Sequence, residues 1–402
     1  MNQQENKNAF FMGIGIGSLV TAMVLIVIFM GGTVYARQMR WRGIDPNTKI
    51  MEIYGLLNHL SIVPFDKDVM LENMYRGFLE GVGDPYTQYL CASALEAFHA
   101  RTEGTFVGIG VMISVEQDDP YITIASTFQG APAAEAGLLP GDRIVGVDGL
   151  EVAGRAREEV VGLISGPENT VVVISIFRPY ENERFDVEIT RARVEVPTVF
   201  HEMMYIENGP VGYIRLDGFD RVTAGQFENA LSELYAAGMN GLILDVRNNP
   251  GGLLCSVNEI ADHLIPEGII LYTIDAAGRR ENHYSNPGYL GLPLVLLVNG
   301  RSASASEVLS GAVRDTETGT IVGTQTFGKG VVQNLLYLSD GTAIKLTVQT
   351  YHTPNGECIH GVGITPHKIV EMSDYLSRRV GNLTLEEDIQ LQAAIEVMAG
   401  KF

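Results

Sequence analysis

The sequence predicts an α+β chain of several domains, and three observations carry that reading. An uncharged run over 8–36, nearly all apolar or small from 10 to 34, opens the chain. Near Gly104 the apolar period changes from helical to alternating, and turn residues begin to separate short β-branched runs. From Pro210 onward apolar strands alternate with helices, the pattern of an α/β layer on a mostly parallel sheet. The implied divisions are 1–42 (tip and membrane anchor), 43–103 (helical segment), 104–193 (small β-barrel), 194–370 (α/β core) and 371–402 (C-terminal helical segment).

The first division rests on length. The run at 10–34 is long enough to cross a hydrocarbon core of about 30 Å as a helix. Lys7 precedes it and Arg37, Arg40 and Arg42 follow, so counting cations alone puts the arginine side in the cytoplasm. Val34-Tyr35-Ala36 has the small-x-small pattern of a signal-peptidase site, but the length of the run favours an uncleaved anchor. The remainder of the 402 residues suffices for two or three domains, each with its own core. A net charge of −20 argues against nucleic acid as a partner. Cys91, Cys255 and Cys358 are odd in number and far apart, which fits three separate thiols better than disulfides or a zinc site.

In the helical segment Ile50, Ile53, Leu56, Leu57 and Leu60 make one apolar stripe that ends at Pro64. A second helix is expected over 68–81 with Val69, Met70, Met74 and Phe78 inward, and Gly83-Asp84-Pro85-Tyr86 closes the helical region. The barrel is expected to use strands at 107–113, 121–125, 144–147, 170–177 and 186–189, helices at 131–136 and 157–164, and a hairpin turn at Asp148-Gly149. The α/β core is expected to run through strands at 212–216, 242–246 and 294–298 and helices at 223–237, 256–264 and 304–313, with Thr223 as a cap.

Three stretches of the core suggest chemistry. At Val298-Asn299-Gly300-Arg301-Ser302-Ala303-Ser304-Ala305-Ser306-Glu307 a buried strand ends and small residues open a helix. Backbone N–H groups at such an entrance can hold an oxyanion, and any of the three serines could face outward; ordinary capping fits the residues as well. In Thr326-Phe327-Gly328-Lys329-Gly330 two glycines let other backbone approach the lysine closely. A desolvated lysine loses its proton more readily, as a general base for a weak serine nucleophile must; the alternative is a solvated loop lysine. A phosphate-binding loop fits poorly, because Gly330 follows Lys329 where Ser or Thr is needed. In Asn249-Pro250-Gly251-Gly252 a strand runs into a turn whose amides could face a ligand or simply reverse the chain. No GxSxG elbow is present, and His201-Glu202-Met203-Met204-Tyr205 lacks the second histidine of a zinc motif. No metal or cofactor is called for.

Taken together, Arg247 to Leu253, Ser302 to Glu307, Thr326 to Gln333, Thr353-Pro354-Asn355-Gly356, Gly363-Ile364-Thr365-Pro366 and Asp84-Pro85-Tyr86-Thr87 resemble, in this order of function, the motifs of the C-terminal processing (tail-specific) peptidases. The resemblance covers nearly everything after Met51. It implies a crotonase-like or ClpP-like α/β core with Ser304 as nucleophile, Lys329 as base and Gln333 orienting the lysine. It implies oxyanion donors at Ala305 and at one of Gly251 and Gly252, and makes the barrel a PDZ domain. Phe106, Val107, Gly108, Ile109, Gly110 and Val111 would bind the C-terminal tail of a protein substrate, with an added strand beside 110–114 and a facing helix at 157–164. Arg178 could link PDZ domain to peptidase. His367 departs from the pattern, which has an acidic residue after the proline. The resemblance also implies a peptidase outside the cytoplasmic membrane, against the cation count, and allows a homodimer. A PDZ scaffold with a silent peptidase fold and a crotonase-like acyl-CoA enzyme are the rival readings.

Overall fold

The computed structural model describes residues 45–115 and 119–401. The apolar run at 10–34 lies outside these residues, and among them no helix is long and apolar enough to cross a membrane. Helix α1 (Pro46–Leu60) starts at Asp45, whose carboxylate accepts the Thr48 N–H at 3.1 Å, and Pro46 occupies a position where no donor is needed. Helix α2 (Lys67–Glu80) follows, and the Phe65 ring meets the edge of Tyr54. The expected inward face of α2 is corrected in part: Met70 and Met74 are half-buried, but Val69 and Phe78 are exposed, Phe78 by 79%. On α1 the stripe residues Ile53, Leu56 and Leu60 are exposed. Periodicity marks an apolar face but cannot say what covers it.

Helical structure also does not end at Tyr86. Strand β1 (Gln88–Leu90) and helix α3 (Ala92–Glu103) come next, and Gly104 closes α3 in the left-handed conformation. A three-residue strand has no period of its own to read.

The barrel comprises β2 (Thr105–Gly108), β3 (Val111–Val115), β4 (Ile122–Thr127), α4 (Pro132–Glu135), β5 (Arg143–Val147), β6 (Leu150–Glu151), α5 (Arg157–Ile164), β7 (Val171–Arg178), β8 (Glu183–Thr190) and β9 (Ala192–Glu195). The strand order is β3-β4-β5-β7-β8 with β6 on β5, while β2 pairs β9 apart from them. Ile122, Ile124, Ile144, Val172, Ile174, Ile176 and Ile189 fill the interior. The strand expected over 107–113 is interrupted at Ile109-Gly110, where Ile109 turns into the core. Among the described residues strand β3 pairs with β4 alone, which leaves its outer edge open to them. Arg178 does not reach out of the barrel. Its guanidinium grips both oxygens of the buried Asp142 at 2.8 Å and donates to the Gly137 carbonyl, which closes the barrel on itself.

The core continues through β10 (Val199–Ile206), β11 (Gly209–Leu216), α6 (Thr223–Ala236), β12 (Leu242–Asp245), α7 (Leu254–Leu264), β13 (Gly268–Asp275), β14 (Arg280–Ser285), β15 (Leu294–Val298), α8 (Ala305–Asp315), β16 (Gly319–Gly323), β17 (Val331–Tyr337), β18 (Ala343–His352), β19 (Lys368–Ile369), α9 (Asp374–Ser377) and α10 (Ile389–Ala399). One sheet runs β10-β11-β12-β15-β16-β19, parallel throughout except for the β10–β11 hairpin. Both faces are covered. Ile214, Leu244, Leu296 and Val298 pack with α6, α7 and α8, while Tyr213, Ile243, Val295 and Leu297 pack under Ala393, Ala394 and Met398 of α10. Each fully buried aliphatic side chain contributes roughly 1.5–3 kcal/mol. A second sheet, β1-β18-β13-β14 with β17 on β18, carries the lysine loop at its margin. Thr223 is not the cap expected of it: Val222 holds that position, and the Thr223 hydroxyl accepts the Asp220 N–H from within the first turn. His367 fits its place, since Nδ1 accepts the Ile321 N–H at 2.9 Å, and burial keeps the imidazole below its ordinary pKa.

Candidate active site

The three serines that look equivalent in the sequence are not equivalent in space. Ser302 and Ser306 are fully buried and spend their hydroxyl protons on main-chain carbonyls, those of Val246 (2.7 Å) and Asn249 (2.9 Å). These two bonds bring the helix entrance down on the turn after β12. Ser304 stands between them with φ 56° and ψ −113°. A β-carbon disfavours such a backbone, so the surrounding structure must impose it. Burial pushes the Tyr351 phenol up to about 12, and the Ser304 side chain acts on that phenol in the opposite sense.

Asn249 organises the facing turn. Its carboxamide donates to the Leu216 carbonyl and accepts the Gly251 N–H at 2.8 Å. The Gly251 amide is therefore occupied, whereas the N–H groups of Gly252 and Ala305 have no hydrogen-bond partner among the described residues. The turn needs both glycines. A β-carbon on Gly251 would lie 2.8 Å from the Ser304 β-carbon and 2.9 Å from the Ala305 nitrogen, and one on Gly252 would strike the Phe219 carbonyl. Phe219 holds the turn from below, donating its N–H to the Gly251 carbonyl and accepting the Leu253 N–H.

Sequence reasoning missed the residue that joins the Ser304 and Lys329 loops. Glu307, one turn into α8 and fully buried, accepts four hydrogen bonds. The Ser304 N–H reaches one oxygen at 2.9 Å together with the Lys329 N–H at 2.8 Å. The Thr326 hydroxyl and the Gly328 N–H share the other, both at 2.6 Å. One carboxylate thus fixes the backbone of both loops. The Ser-x-x-Glu spacing of a capping box was the available signal, and it reads equally well as an ordinary helix start. The Gly363–Thr365 segment adds a second clamp, as Ile364 exchanges hydrogen bonds with Thr326.

Lys329 is half-buried in this loop. Burial first, and then the neighbouring Lys345 ammonium, hold its pKa below the ordinary value, against the pull of Asp84 and Glu307. Its amine lies 4.9 Å from the ring centre of Tyr86. Among the described residues no hydrogen bond links the Ser304 hydroxyl to this amine. Gln333 is not joined to Lys329 either; its carboxamide donates to the Val331 carbonyl at 3.2 Å, next to a bulge in β17. Behind the Pro-Gly-Gly turn lies a second unforeseen feature, the buried chain Tyr213–Asp245–Arg247–Asp388. The Tyr213 hydroxyl donates to Asp245 (2.8 Å), and Arg247 bridges Asp245 (2.6 Å) and Asp388 (2.7 Å). Burial opposes the Arg247 charge, but the two carboxylates outweigh it and keep the guanidinium protonated.

In the barrel, Phe106, Val107 and Gly108 lie on β2 and pair with β9, Ile109 is buried, and Gly110 and Val111 lead into the open-edged β3. Helix α5 faces the interior with Val160 and Ile164.

The class these features define is a serine-type peptidase coupled to a barrel with an open strand edge. Residues 210–370 match the model of Peptidase family S41, and 126–178 match that of the PDZ domain. The chain is 36% identical over 324 residues to a carboxyl-terminal-processing protease of Synechocystis sp., covering 80% of this chain and 75% of that protein. It is 34% identical over 345 residues to a carboxy-terminal processing protease of Bacillus subtilis, covering 85% and 71%. A solved S41 protease structure from Bacteroides fragilis, 18% identical, covers 85% of this chain and 92% of its own at a TM-score of 0.50, a likeness of fold. This chain belongs to Peptidase family S41, as a C-terminal processing serine protease with a PDZ domain that acts on protein or peptide substrates.

Proposed function

We propose that Ser304 is the nucleophile and Lys329 the general base of this protease. The observation that carries the assignment is the fate of the three hydroxyls: those of Ser302 and Ser306 are committed to carbonyls, and Ser304 alone sits strained at a helix entrance beside free N–H groups. The Ser304 oxygen attacks the scissile carbonyl while neutral Lys329 accepts its proton. The tetrahedral oxyanion is held by the Ala305 and Gly252 N–H groups; Gly251 is excluded by its bond to Asn249. Lys329 returns the proton to the departing amine, and a water activated by the same base then cleaves the acyl-enzyme. Gln333 orients Lys329 only after it exchanges its bond to the Val331 carbonyl. The substrate tail adds as a strand to the open edge of β3 and is capped by amides of 106–111. The run at 10–34 anchors the chain as an uncleaved helix, with the protease on the extracytoplasmic side. The exposed stripe of α1 favours pairing with a second copy.

A base with a lowered pKa also sets the pH dependence. Lys329 is inactive while protonated, so activity rises with pH through its folded-state pKa, below the ordinary lysine range. The same sign applies to stability: the unfolded chain binds this proton more tightly, so the group favours folding increasingly as pH rises through that window. The test uses the full chain in detergent with an unfolded protein ending in apolar residues. Ser304→Ala and Lys329→Ala should each lose activity by roughly a thousandfold or more. Cleavage by Ser304→Ala at the parent rate would remove Ser304 as nucleophile. A parent profile flat from acid to alkaline pH, with chemistry rate-limiting, would remove Lys329 as base.

A further inference from the structure

The Asp84-Pro85-Tyr86-Thr87 segment precedes the barrel and has no part in the chemistry described so far, yet the fold brings it to the catalytic loop. Three bonds fix its place. The Asp84 carboxylate accepts the Tyr86 N–H at 3.0 Å and the Thr87 hydroxyl at 2.6 Å, and the buried Thr87 hydroxyl accepts the Thr347 N–H of β18 at 3.2 Å. The turn is thereby tied to the sheet that carries the lysine loop. Its outcome is the position of one ring. Tyr86 presents its ring to the Lys329 amine, with 4.9 Å from nitrogen to ring centre, and the His360 ring meets Tyr86 edge-on at 6.3 Å. Tyr86 also lines a cavity of about 630 Å³ with Phe327, Val331, Thr347 and His360. The Tyr86 ring thus borders both the amine and the cavity, whose lining includes Gly328 and Val331 but not Lys329.

We propose that Tyr86 is a positioning residue for the general base: its ring is the wall that confines the Lys329 amine and keeps the water of the adjoining cavity away from it. The proposal rests on Lys329 being the base. The phenol does not compete for the proton, because burial, and then the charges of Glu307 and Asp84, hold its pKa above the ordinary value. The groups that act on the amine are Asp84 and Tyr86 from this turn, Glu307 from α8 and Lys345 from β18, with His360 behind the ring. Tyr86 has two opposed influences. A dry wall disfavours the ammonium, whereas the face of a π-system attracts it. The half-buried amine sits below its ordinary pKa, in line with dryness as the stronger of the two.

Substitutions separate these influences. The experiment measures kcat and KM against pH for the full chain on an unfolded protein with an apolar C-terminal tail. Tyr86→Phe keeps both wall and π-face, and should stay within about twofold of the parent at an unchanged midpoint. Tyr86→Leu keeps the wall and removes the π-face, so the midpoint should move to lower pH. Tyr86→Ala opens the amine to the cavity; its midpoint should move to higher pH, and kcat near neutrality should fall about tenfold or more while KM holds. A folded Tyr86→Ala protein with the parent midpoint and kcat would overturn the proposal, as would a loss confined to KM or a Tyr86→Phe protein as impaired as the alanine variant. Should Tyr86→Ala fail to fold, Tyr86→Thr, which also removes most of the wall, decides in its place: a midpoint moved to higher pH supports the proposal, and the parent midpoint and kcat overturn it. Lys329→Ala runs in parallel. If it keeps the alkaline rise, the base assignment fails and takes this proposal with it; if it is inactive while the Tyr86 midpoints do not move, only the role of Tyr86 fails.

Discussion

Each of the two domains buries an arginine, and they satisfy it in different ways. In the peptidase core Arg247 has no exposed side-chain surface and lies between the carboxylates of Asp245 and Asp388. In the PDZ domain Arg191, 7% exposed, meets no carboxylate among the described residues. It donates to the carbonyls of Ile164, Leu163 and Val171 and to the Thr170 hydroxyl. The first arrangement joins charges across a long stretch of chain, from the end of β12 to the cap of α10, close to the Pro-Gly-Gly turn. The second ties the end of α5 to the start of β7, within one domain. A carboxylate-bound arginine leaves charges behind when removed, whereas a carbonyl-bound one leaves only dipoles that water can reach. The catalytic framework should therefore break abruptly and the recognition domain should soften.

The largest effect is expected at Arg247. Arg247→Leu leaves Asp245 and Asp388 buried and unpaired, which should cost about 3–5 kcal/mol of stability. Urea unfolding of the full chain, followed by a probe of the core, measures it. A loss below about 1 kcal/mol would mean that the two carboxylates take up protons or water without strain, and the contrast with Arg191 would disappear.

Next is Glu307→Gln. The side chain keeps its size, but an NH2 now faces either the Ser304 and Lys329 N–H groups or the Thr326 and Gly328 donors. Orphaning buried donors costs about 1–3 kcal/mol each. Because the two loops share this one acceptor, Ser304 and Lys329 should drift apart. A misplacement of about 1 Å is worth on the order of a hundredfold in kcat. Steady-state kinetics at equal folded fraction checks this, and a variant that loses stability while keeping kcat would show that Glu307 holds the fold but not the alignment.

How far these features could be read from the sequence depends on the range of the interactions that make them. Helix α5 and strand β15 fall at the residues expected, because their signals are local: an apolar face in one, a continuous apolar run in the other. Strands β1 and β18 were not expected, since each is held by partners distant in the chain, as Gln88 is by Lys345; β17 was missed with them, because it forms only as a hairpin on β18. The same holds within the site. Lys329 is conspicuous between two glycines, and the serine run is conspicuous by composition. The choice among the serines required the positions of the Val246 and Asn249 carbonyls, which only the fold supplies. Glu307 passes for a helix-capping residue and Tyr86 for part of a turn until the chain brings them to the lysine loop.

The smallest effect separates recognition from catalysis. Arg191→Met removes four hydrogen bonds but keeps the apolar stem, and the freed carbonyls lie where α5 ends near the surface at the exposed Ser165. Water can replace much of what is lost, so the stability cost should be about 1–2 kcal/mol. The functional consequence is more specific than the stability loss. Helix α5 is the wall expected to face a tail bound at the open edge of β3, and Arg191 holds its C-terminal end. A loosened wall should weaken binding of a free apolar-tailed peptide several-fold, an amount that fits an energy loss of about 1 kcal/mol. Cleavage of an unfolded substrate whose tail ends in charged residues does not use that wall and should proceed at the parent kcat. Peptide titration alongside turnover of the two substrates reads both quantities. A parallel drop in kcat for the charged-tail substrate would mean that α5 supports the peptidase core as well, and the two domains would then respond to the loss of a buried arginine in the same way.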